Sequence, residues 1–260
     1  MPELPAVERA RRMIDALCKS YRRINVQSAP DPKHASEFVD KLFEGRLGLD
    51  LLERRVCVGH VLRQLGRHGK NLWFEFDEPP HVFVRFRMAG SFVVRGHEDG
   101  YVYETFRRRT AACRFHDSGT PLVSVWPPKH THIVFSFAPC SPGVDSASIN
   151  GISVREFALV DPRKVTRMRL SDSSCPSVEI RSLIGGFDAL HALPPIERFE
   201  RKMLVYPKAN IKSLLLGQRF IAGLDNWMVD EVLYYAHIHP ESRTCDLTRI
   251  DVAALHQSIA

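Results

Sequence analysis

The sequence lacks the patterns that mark membrane, secreted and disulfide-stabilised proteins. None of its apolar stretches reaches the ~18 residues that a membrane-spanning helix requires, and no charged segment followed by an apolar one opens the chain. Its six cysteines are scattered, and no two of them form a Cys-x-x-Cys pair. Disulfide scaffolds and zinc ribbons use closer, paired spacing, so we expect reduced, mostly structural thiols.

Signatures of nucleotide cofactors and of serine hydrolases are also missing. The chain contains no Gly-x-Gly-x-x-Gly, no Walker loop and no Gly-x-Ser-x-Gly. Two pairs of histidines have i, i+2 spacing, His130 with His132 and His237 with His239. This spacing points the two rings to different faces of a helix and aligns them only on a strand. We therefore expect neither a cofactor nor a metal.

What the chain does have is positive charge and enough length for one large domain or two ordinary ones. It carries 36 Lys and Arg against 30 Asp and Glu, which gives a net charge of +6. An excess of positive charge favours a polyanionic partner, because neutralising phosphates releases their counterions. Charge alone leaves open a general basic protein that binds RNA or acidic partners.

The hydrophobic pattern predicts a helix followed by a region of strands. Residues 5–18 have a helical period, with Val7, Ala10 and Ile14 on one face and Pro5 in the first turn. From about residue 55 to about residue 170 the pattern is that of strands. The clearest runs are 72–76, 82–88, 133–137 and 154–160, and Pro79-Pro80 marks a turn between the first two.

After about residue 172 the pattern becomes helical. Helices are predicted near 196–205, 211–217, 227–236 and 249–259, and Thr248 is the expected N-cap of the last. We therefore expect an α+β protein with a β-sandwich-like N-terminal domain opened by a helix, and a small all-helical domain. The expected boundaries are 1–172 for the first domain, 173–195 for an irregular linker with one short helix, and 196–260 for the second domain.

The chain start carries a candidate nucleophile. Methionine before a small residue is normally removed, which leaves Pro2 as the N-terminus with a secondary amine that can condense with an aldehyde carbon. An α-amino group titrates near pH ~8, and the positive end of the following helix favours its free form. Glu3 lies beside it and can transfer protons. Taken alone, these residues also fit an ordinary chain start in which proline enters a helix.

Further motifs follow in a fixed order along the chain. Gly69-Lys70-Asn71-Leu72-Trp73, Arg87-Met88-Ala89-Gly90 and Asp161-Pro162-Arg163-Lys164 precede a long block over residues 211–234. Together with Met1-Pro2-Glu3-Leu4-Pro5 they resemble the formamidopyrimidine-DNA glycosylase (Fpg/Nei) family. The long block looks like the family's helix–two-turn–helix DNA-binding motif. Its Asn-Trp and Leu-Leu-Leu-Gly-Gln variants are most similar to the plant-type branch.

The resemblance implies a bifunctional DNA glycosylase and apurinic/apyrimidinic lyase that acts on oxidised purines in base-excision repair. Pro2 would attack C1′ of a nucleotide flipped out of the duplex, with Glu3 as acid and base. The resulting Schiff base would acidify the sugar, so that elimination nicks the strand. Lys70 corresponds to the family's active-site lysine. The implied partner is damaged double-stranded DNA, the expected oligomeric state is a monomer, and the expected location is the nucleus or nucleoid, with no membrane contact.

The resemblance also assigns DNA-binding residues. Lys70 and Lys212 would hold phosphates beside the lesion, and Asn226 would hold another at the N-terminus of the helix 227–236. Each has an ordinary alternative, since a single lysine is usually a solvated charge and asparagine is a good helix cap.

Another set of residues would fill the gap left by the flipped base. Met88 would act as an apolar wedge, and Arg163, followed by Lys164, would contact the orphaned partner base. Taken alone, Met88 fits a core residue better than a wedge. Val165 stands where the family has an intercalating phenylalanine, so the wedge is smaller here.

Other departures from the family favour a second hypothesis, a catalytically impaired or inactive DNA-binding paralogue. Ala6 replaces a second glutamate, and Glu8 faces elsewhere on the helix. Asp225 replaces a glycine next to Asn226, and repulsion of a phosphate at ~4 Å would cost about 4 kcal/mol before screening. The zinc or zinc-less finger that follows this motif in the family has no counterpart in residues 1–260, so the helical domain is expected to be truncated.

Overall fold

The computed structural model of the chain describes residues 3–19, 21–28, 59–87, 90–96, 126–139 and 154–260. The chain forms two compact units. The first unit comprises Met1–Arg67 and Asn71–Pro176, and the second comprises His68–Lys70 and Ser177–Ala260. The segment 68–70 therefore belongs with the C-terminal unit, although it is flanked by strands of the first.

Helix α1 (Leu4–Cys18) opens the first unit, as predicted. Pro5 lies in its first turn, where the missing N–H has no helical partner to lose. Val7, Ile14 and Cys18 recur at helical spacing and are buried in the core of this unit. Burial of this apolar stripe fixes which face of α1 turns inward.

Within the described ranges of the first unit, eight strands form two four-stranded sheets. The first sheet has the order β1 (Tyr21–Ser28), β6 (Thr131–Pro139), β7 (Arg155–Val160) and β5 (Ser91–Val94). The second has the order β2 (Leu62–His68), β3 (Asn71–Phe76), β4 (His81–Arg85) and β8 (Arg167–Ser171). The predicted hairpin is confirmed, because β3 pairs antiparallel with β4, with Trp73 opposite Phe83.

Phenylalanines from both sheets make the centre of this unit. Phe74 of β3 packs against Phe92, Phe135 and Phe157, with ring centroids 5.6 to 5.7 Å apart. All four side chains have an exposed fraction of 1% or less. Large aromatic rings contribute much buried area and favour offset or edge contacts at such distances. The sheets share one core, and the predicted β-sandwich-like architecture is confirmed.

The second unit is mainly helical. Its helices are α2 (Pro176–Ile184, which begins one residue before the unit boundary), α3 (Ile196–Met203), α4 (Ile211–Leu216), α5 (Asn226–Tyr235) and α6 (Arg249–Ile259). The four predicted helices α3 to α6 are confirmed. Thr248 caps α6, and its side chain and that of Asp251 form a capping box. Among the described residues, no helix is long and apolar enough to cross a membrane.

A short parallel pair of strands departs from the prediction. Strand β9 (Phe187–Asp188) pairs with β10 (Ile221–Ala222), and β9 lies inside the segment 173–195 that we expected to be an irregular linker. Most of that segment belongs to the second unit. Two-residue strands are too short to show an alternating pattern, so the sequence carries no signal for them.

Candidate functional site

Glu3 occupies the N-cap position of α1. Its backbone is extended, and its carbonyl oxygen accepts the N–H of Val7 at 3.1 Å. Its carboxylate makes no capping hydrogen bond to α1 and is half-buried. The side chain is therefore not used to close the helix. Met1 and Pro2, including the predicted nucleophile, lie outside the described residues.

Glu8 is held by three arginines inside the first unit. It is 4% exposed and accepts hydrogen bonds from Arg11, Arg12 and Arg67 at 2.7 to 3.0 Å. Burial alone would raise the pKa of Glu8, but these hydrogen bonds outweigh it and hold the pKa well below its ordinary value. Glu8 therefore joins α1 to β2 as an ionised group. It does not replace the carboxylate lost at Ala6, which is itself 9% exposed.

The segment 68–70 is fixed by backbone geometry and by two hydrogen bonds. Gly69 has a φ of +56°, and a Cβ there would lie 2.9 Å from the Cβ of Ala222. Its N–H donates to Asp188 Oδ2 at 2.6 Å, and His68 Nε2 donates to the carbonyl oxygen of Gly186 at 2.8 Å. Asp188 was not singled out from the sequence, yet it positions the segment that carries Lys70.

Lys70 and Asp225 form an ion pair within the second unit. The side chains are 9% and 3% exposed, so the pair is shielded from water. Asp225 occupies the N-cap position of α5, but its side chain accepts no capping hydrogen bond from the backbone N–H groups of that helix. Its Oδ1 contacts the Lys70 ammonium, while its Oδ2 is buried with no hydrogen-bond partner in the described part of the chain. Asp225, the acid predicted to lie beside a phosphate site, is thus paired with Lys70, which is itself predicted to bind a phosphate.

Lys212 and Asn226 share a second aspartate. Lys212 Nζ lies 2.5 Å from Asp230 Oδ1, and Asn226 Nδ2 donates to Asp230 Oδ2 at 3.2 Å. Asn226 is the first residue of α5, and Asp225 is the N-cap, so the alternative interpretation of Asn226 as a helix cap is wrong. The fold brings Lys70, Lys212 and Asn226 into one unit, each next to an aspartate.

The loop between α4 and α5 is organised by Gln218. Its amide nitrogen donates to the carbonyl oxygens of Leu216 and Leu224 at 3.2 and 3.4 Å, and its Oε1 accepts the N–H of Gly223 at 2.9 Å. Gly223 has a φ of +113°, a backbone conformation that residues with a side chain rarely adopt. Side-chain amides often stabilise turns by hydrogen bonds to the neighbouring backbone, but a single sequence carries no clear signal for such bonds.

The loop that carries Arg163 and Lys164 is built around Asp161. This side chain is fully buried and accepts the N–H groups of Arg163, Val165 and Thr166 at 2.7 to 2.9 Å. Lys164 has a φ of +56°, and its N–H donates to the carbonyl oxygen of Asp161 at 3.2 Å, which closes a turn. Arg163 is exposed on the outside of the turn. Met88, the predicted wedge, lies outside the described residues.

His132 and Cys18 are buried side chains of the first unit. His132 Nε2 donates to the carbonyl oxygen of Asp161 at 2.7 Å, and burial lowers the pKa of His132. Burial raises the pKa of the Cys18 thiol to about 12. Within the described ranges, no group of three His, Cys, Asp or Glu side chains could hold a metal ion, and Cys18, Cys175 and Cys245 are free thiols.

Comparisons with known proteins match both parts of the chain. The Formamidopyrimidine-DNA glycosylase N-terminal domain matches residues 1–168, and the Formamidopyrimidine-DNA glycosylase H2TH domain matches residues 190–260. A formamidopyrimidine-DNA glycosylase of Arabidopsis thaliana is 31% identical over 259 residues, and one of Latilactobacillus sakei is 29% identical over 266 residues. Both alignments cover 100% of this chain.

Solved structures with the same fold include two complexes with modified DNA. Fpg (MutM) of Lactococcus lactis with N7-benzyl-Fapy-dG DNA has a TM-score of 0.68 at 24% identity and covers 99% of this chain and 76% of its own. MutM with carbocyclic 8-oxo-G DNA has a TM-score of 0.68 at 23% identity, with the same coverage.

The chain is shorter than these relatives. It spans 56% of the Arabidopsis protein and 74% of the Latilactobacillus protein. The two matched domains nevertheless account for most of its residues and follow in the same order as its β-rich and helical units. The chain therefore belongs to the formamidopyrimidine-DNA glycosylase family.

Proposed function

We propose that the protein is a bifunctional DNA glycosylase and apurinic/apyrimidinic lyase of base-excision repair that acts on oxidised purines. The observation that carries this proposal is the match of both family domains to a chain that contains the Met1-Pro2-Glu3 motif. The positive end of helix α1 directly follows these residues and favours a free amine on Pro2. The proposed domains are a catalytic β-rich domain over residues 1–172, a linker over 173–195 and a DNA-binding domain over 196–260.

In the proposed reaction, the Pro2 nitrogen forms a bond to C1′ of a flipped-out nucleotide while the glycosidic bond breaks. The bonding electrons leave with the base, which takes up a proton. The Pro2 nitrogen then loses its proton, and opening of the sugar gives a cationic iminium at C1′, with Glu3 protonating the released O4′. Loss of a C2′ proton and cleavage of the C3′–O3′ bond release the 3′-phosphate and nick the strand. The Glu3 carboxylate suits this role because it is not engaged in capping α1.

The proposed DNA contacts extend over several residues. Lys70, Lys212 and Asn226 would hold backbone phosphates, and Arg163 with Lys164 would reach the orphaned base from the loop built on Asp161. The exposed position of Arg163 supports this role. Met88 is the proposed wedge. The protein is proposed to act as a monomer on damaged double-stranded DNA, in the nucleus or nucleoid.

We further propose that the protein belongs to the plant-type branch of the family. The Leu214-Leu215-Leu216-Gly217-Gln218 and Asn226-Trp227 motifs support this assignment, and so does the similarity to the Arabidopsis protein.

A second candidate is a DNA-binding paralogue with impaired or no turnover. Two observations favour it. Ala6 leaves α1 without its second early carboxylate, and the Lys70 charge is paired with Asp225. This candidate predicts salt-dependent DNA binding without strand cleavage.

Borohydride trapping separates the two candidates. The protein, with Met1 removed as verified by mass spectrometry, is incubated with a duplex that carries an abasic site and with sodium borohydride, which reduces an iminium to a stable amine. We expect a covalent protein–DNA adduct that Pro2→Gly reduces or abolishes. Pro5→Ala is the matched control and should trap as the wild type does, whereas a protein with a blocked N-terminus should not trap. DNA binding without any adduct would favour the impaired paralogue.

A further inference from the structure

Each proposed phosphate contact of the second unit meets an aspartate of the same chain. Lys70 is paired with Asp225, and Lys212 is paired with Asp230, which also accepts the Asn226 amide. Asp225 and Asp230 stand at the start and in the middle of α5. The aspartates therefore occupy the positions on these donors that an oxygen of a DNA phosphate would take.

The two ion pairs differ in their exposure to water. The side chains of Lys212 and Asp230 are 30% and 48% exposed, so solvent and salt screen their attraction. Those of Lys70 and Asp225 are 9% and 3% exposed, so their attraction is screened much less. An approaching phosphate can compete for Lys212 easily, but it meets Lys70 already neutralised by a buried carboxylate.

The Asp225 carboxylate also lacks part of its possible hydrogen bonding in this position. Its side chain does not cap α5, and its Oδ2 is buried with no partner among the residues that the structure describes. A buried carboxylate oxygen without a hydrogen-bond donor destabilises the folded protein, and hydrogen bonds to water would remove this cost. Rotation of the Asp225 side chain into solvent would therefore satisfy Oδ2 while exposing Lys70 to another anion.

We propose that Asp225 is an internal substitute for a DNA phosphate, which holds Lys70 in the DNA-free protein and weakens binding of the DNA backbone. A phosphate of bound DNA takes Lys70 only by displacing the Asp225 side chain. This inference rests on the proposed DNA-binding function and adds a residue that sets the strength and salt dependence of that binding. DNA binding by the wild-type protein then releases fewer counterions than the number of phosphate-binding lysines would predict.

The test is DNA binding as a function of salt. Fluorescence anisotropy is measured with a labelled duplex that contains a tetrahydrofuran abasic analogue, and with the same duplex undamaged, at several NaCl concentrations. Asp225→Asn removes the charge at constant shape, and Asp225→Gly removes the side chain. We expect both to bind about tenfold more tightly, with the slope of log K against log salt steeper by about 0.9 for one additional phosphate contact.

Glu231→Gln is the matched control, because it removes the same charge from the exposed face of the same helix. It should leave the salt slope near the wild-type value. Lys70→Gln supplies a second, independent measurement. In the Asp225→Asn background it should remove most of the gained affinity and return the salt slope towards the wild-type value. The double variant Lys70→Gln, Asp225→Asn carries no charge at either position. It therefore still tests the inference if a single variant folds poorly.

The outcomes separate the inference from the function on which it rests. If wild type binds abasic DNA while Asp225→Asn and Asp225→Gly, folded by circular dichroism, bind no more tightly and with the same slope, the inference is wrong and the proposed function stands. If wild type and all variants fail to bind either duplex at low salt, the DNA-binding function itself is wrong. Binding that appears only in the Asp225 variants supports the inference.

Discussion

Lys70 and Asp225 lie 155 residues apart in the chain and form a buried ion pair. The lysine comes from the segment that links β2 to β3, and the aspartate precedes α5. A buried pair stabilises a fold only while both members are present, because each charge alone is costly away from water. Stability and DNA binding are therefore both expected to depend on Asp225, and in opposite directions for some variants.

Removing one member of the pair should destabilise the second unit. We expect Lys70→Gln to lower the free energy of unfolding by about 3 kcal/mol, because it leaves Asp225 buried and unpaired. Lys70→Gln combined with Asp225→Asn should recover more than half of this loss. Urea unfolding monitored by circular dichroism measures both values. Strictly additive losses in the double variant would contradict the coupling.

Glu8 is expected to be essential to the first unit. Glu8→Gln removes the negative charge that faces the buried Arg67 guanidinium, whose side chain is 1% exposed, and should cost about 3 kcal/mol. Glu156→Gln is the control, because Glu156 pairs with Arg95, which is largely exposed, and should cost less than about 1 kcal/mol. Hydrogen exchange should speed up in α1 and β2 for Glu8→Gln. Equal effects of the two variants would argue against this role.

The depressed pKa of Glu8 predicts a specific pH dependence. The group has an ordinary value of 4.5, and its folded-state pKa lies well below this. Its contribution to stability is therefore fully present above pH 4.5 and is lost as the pH falls from that value towards the folded-state pKa. The difference in unfolding free energy between wild type and Glu8→Gln should be constant at neutral pH and shrink in acid. A difference that grows in acid has the wrong sign for this prediction.

Asp161 should control the loop that presents Arg163. Asp161→Ala removes the acceptor of three backbone N–H groups and of the Thr166 hydroxyl, and should cost about 3 kcal/mol. Thr166→Val removes only the hydroxyl donor and should cost about 1 kcal/mol. Urea midpoints give the stabilities. If the two variants lose the same stability, the backbone hydrogen bonds of Asp161 contribute less than we infer.

Gly69 is expected to tolerate no side chain. Gly69→Ala combines a positive φ with a Cβ 2.9 Å from that of Ala222, and should cost about 2 to 3 kcal/mol. Gly96→Ala also has a positive φ, but nothing lies within 4 Å of its Cβ, so it should cost only about 1 kcal/mol. The difference between their thermal unfolding midpoints measures the effect of the contact between the new Cβ at position 69 and the Cβ of Ala222. Indistinguishable midpoints would mean that Ala222 moves aside freely.

Much of the fold could be predicted because several elements are long and strongly periodic. Helix α1, the β3–β4 hairpin and helices α3 to α6 each show apolar residues at the spacing of their secondary structure. Local signals also placed the N-cap at Thr248, where a hydroxyl and an acid three residues later form a capping box. Such features depend on neighbours within one or two turns, so a single sequence contains them.

Other elements could not be predicted for physical reasons. Strands β1 and β8 carry several charged residues, Arg22, Arg23, Arg167 and Arg169, which obscure the alternation expected of a half-buried strand. Strands β9 and β10 have two residues each and exist only because they pair with each other. The supporting residues Asp161, Asp188 and Gln218 accept hydrogen bonds from backbone N–H groups, which several polar residue types can do.

The sequence by itself determined the family and the identity of the residues that family membership makes important, because motifs are local and ordered. It also exposed the departures at Ala6 and Asp225. Only the tertiary structure decided what those departures do. Asp225 lies against Lys70, and Glu8 against Arg67, because folding brings together residues that are far apart in the chain. The strength of a charge interaction depends on distance and on burial, and neither can be read from the order of residues.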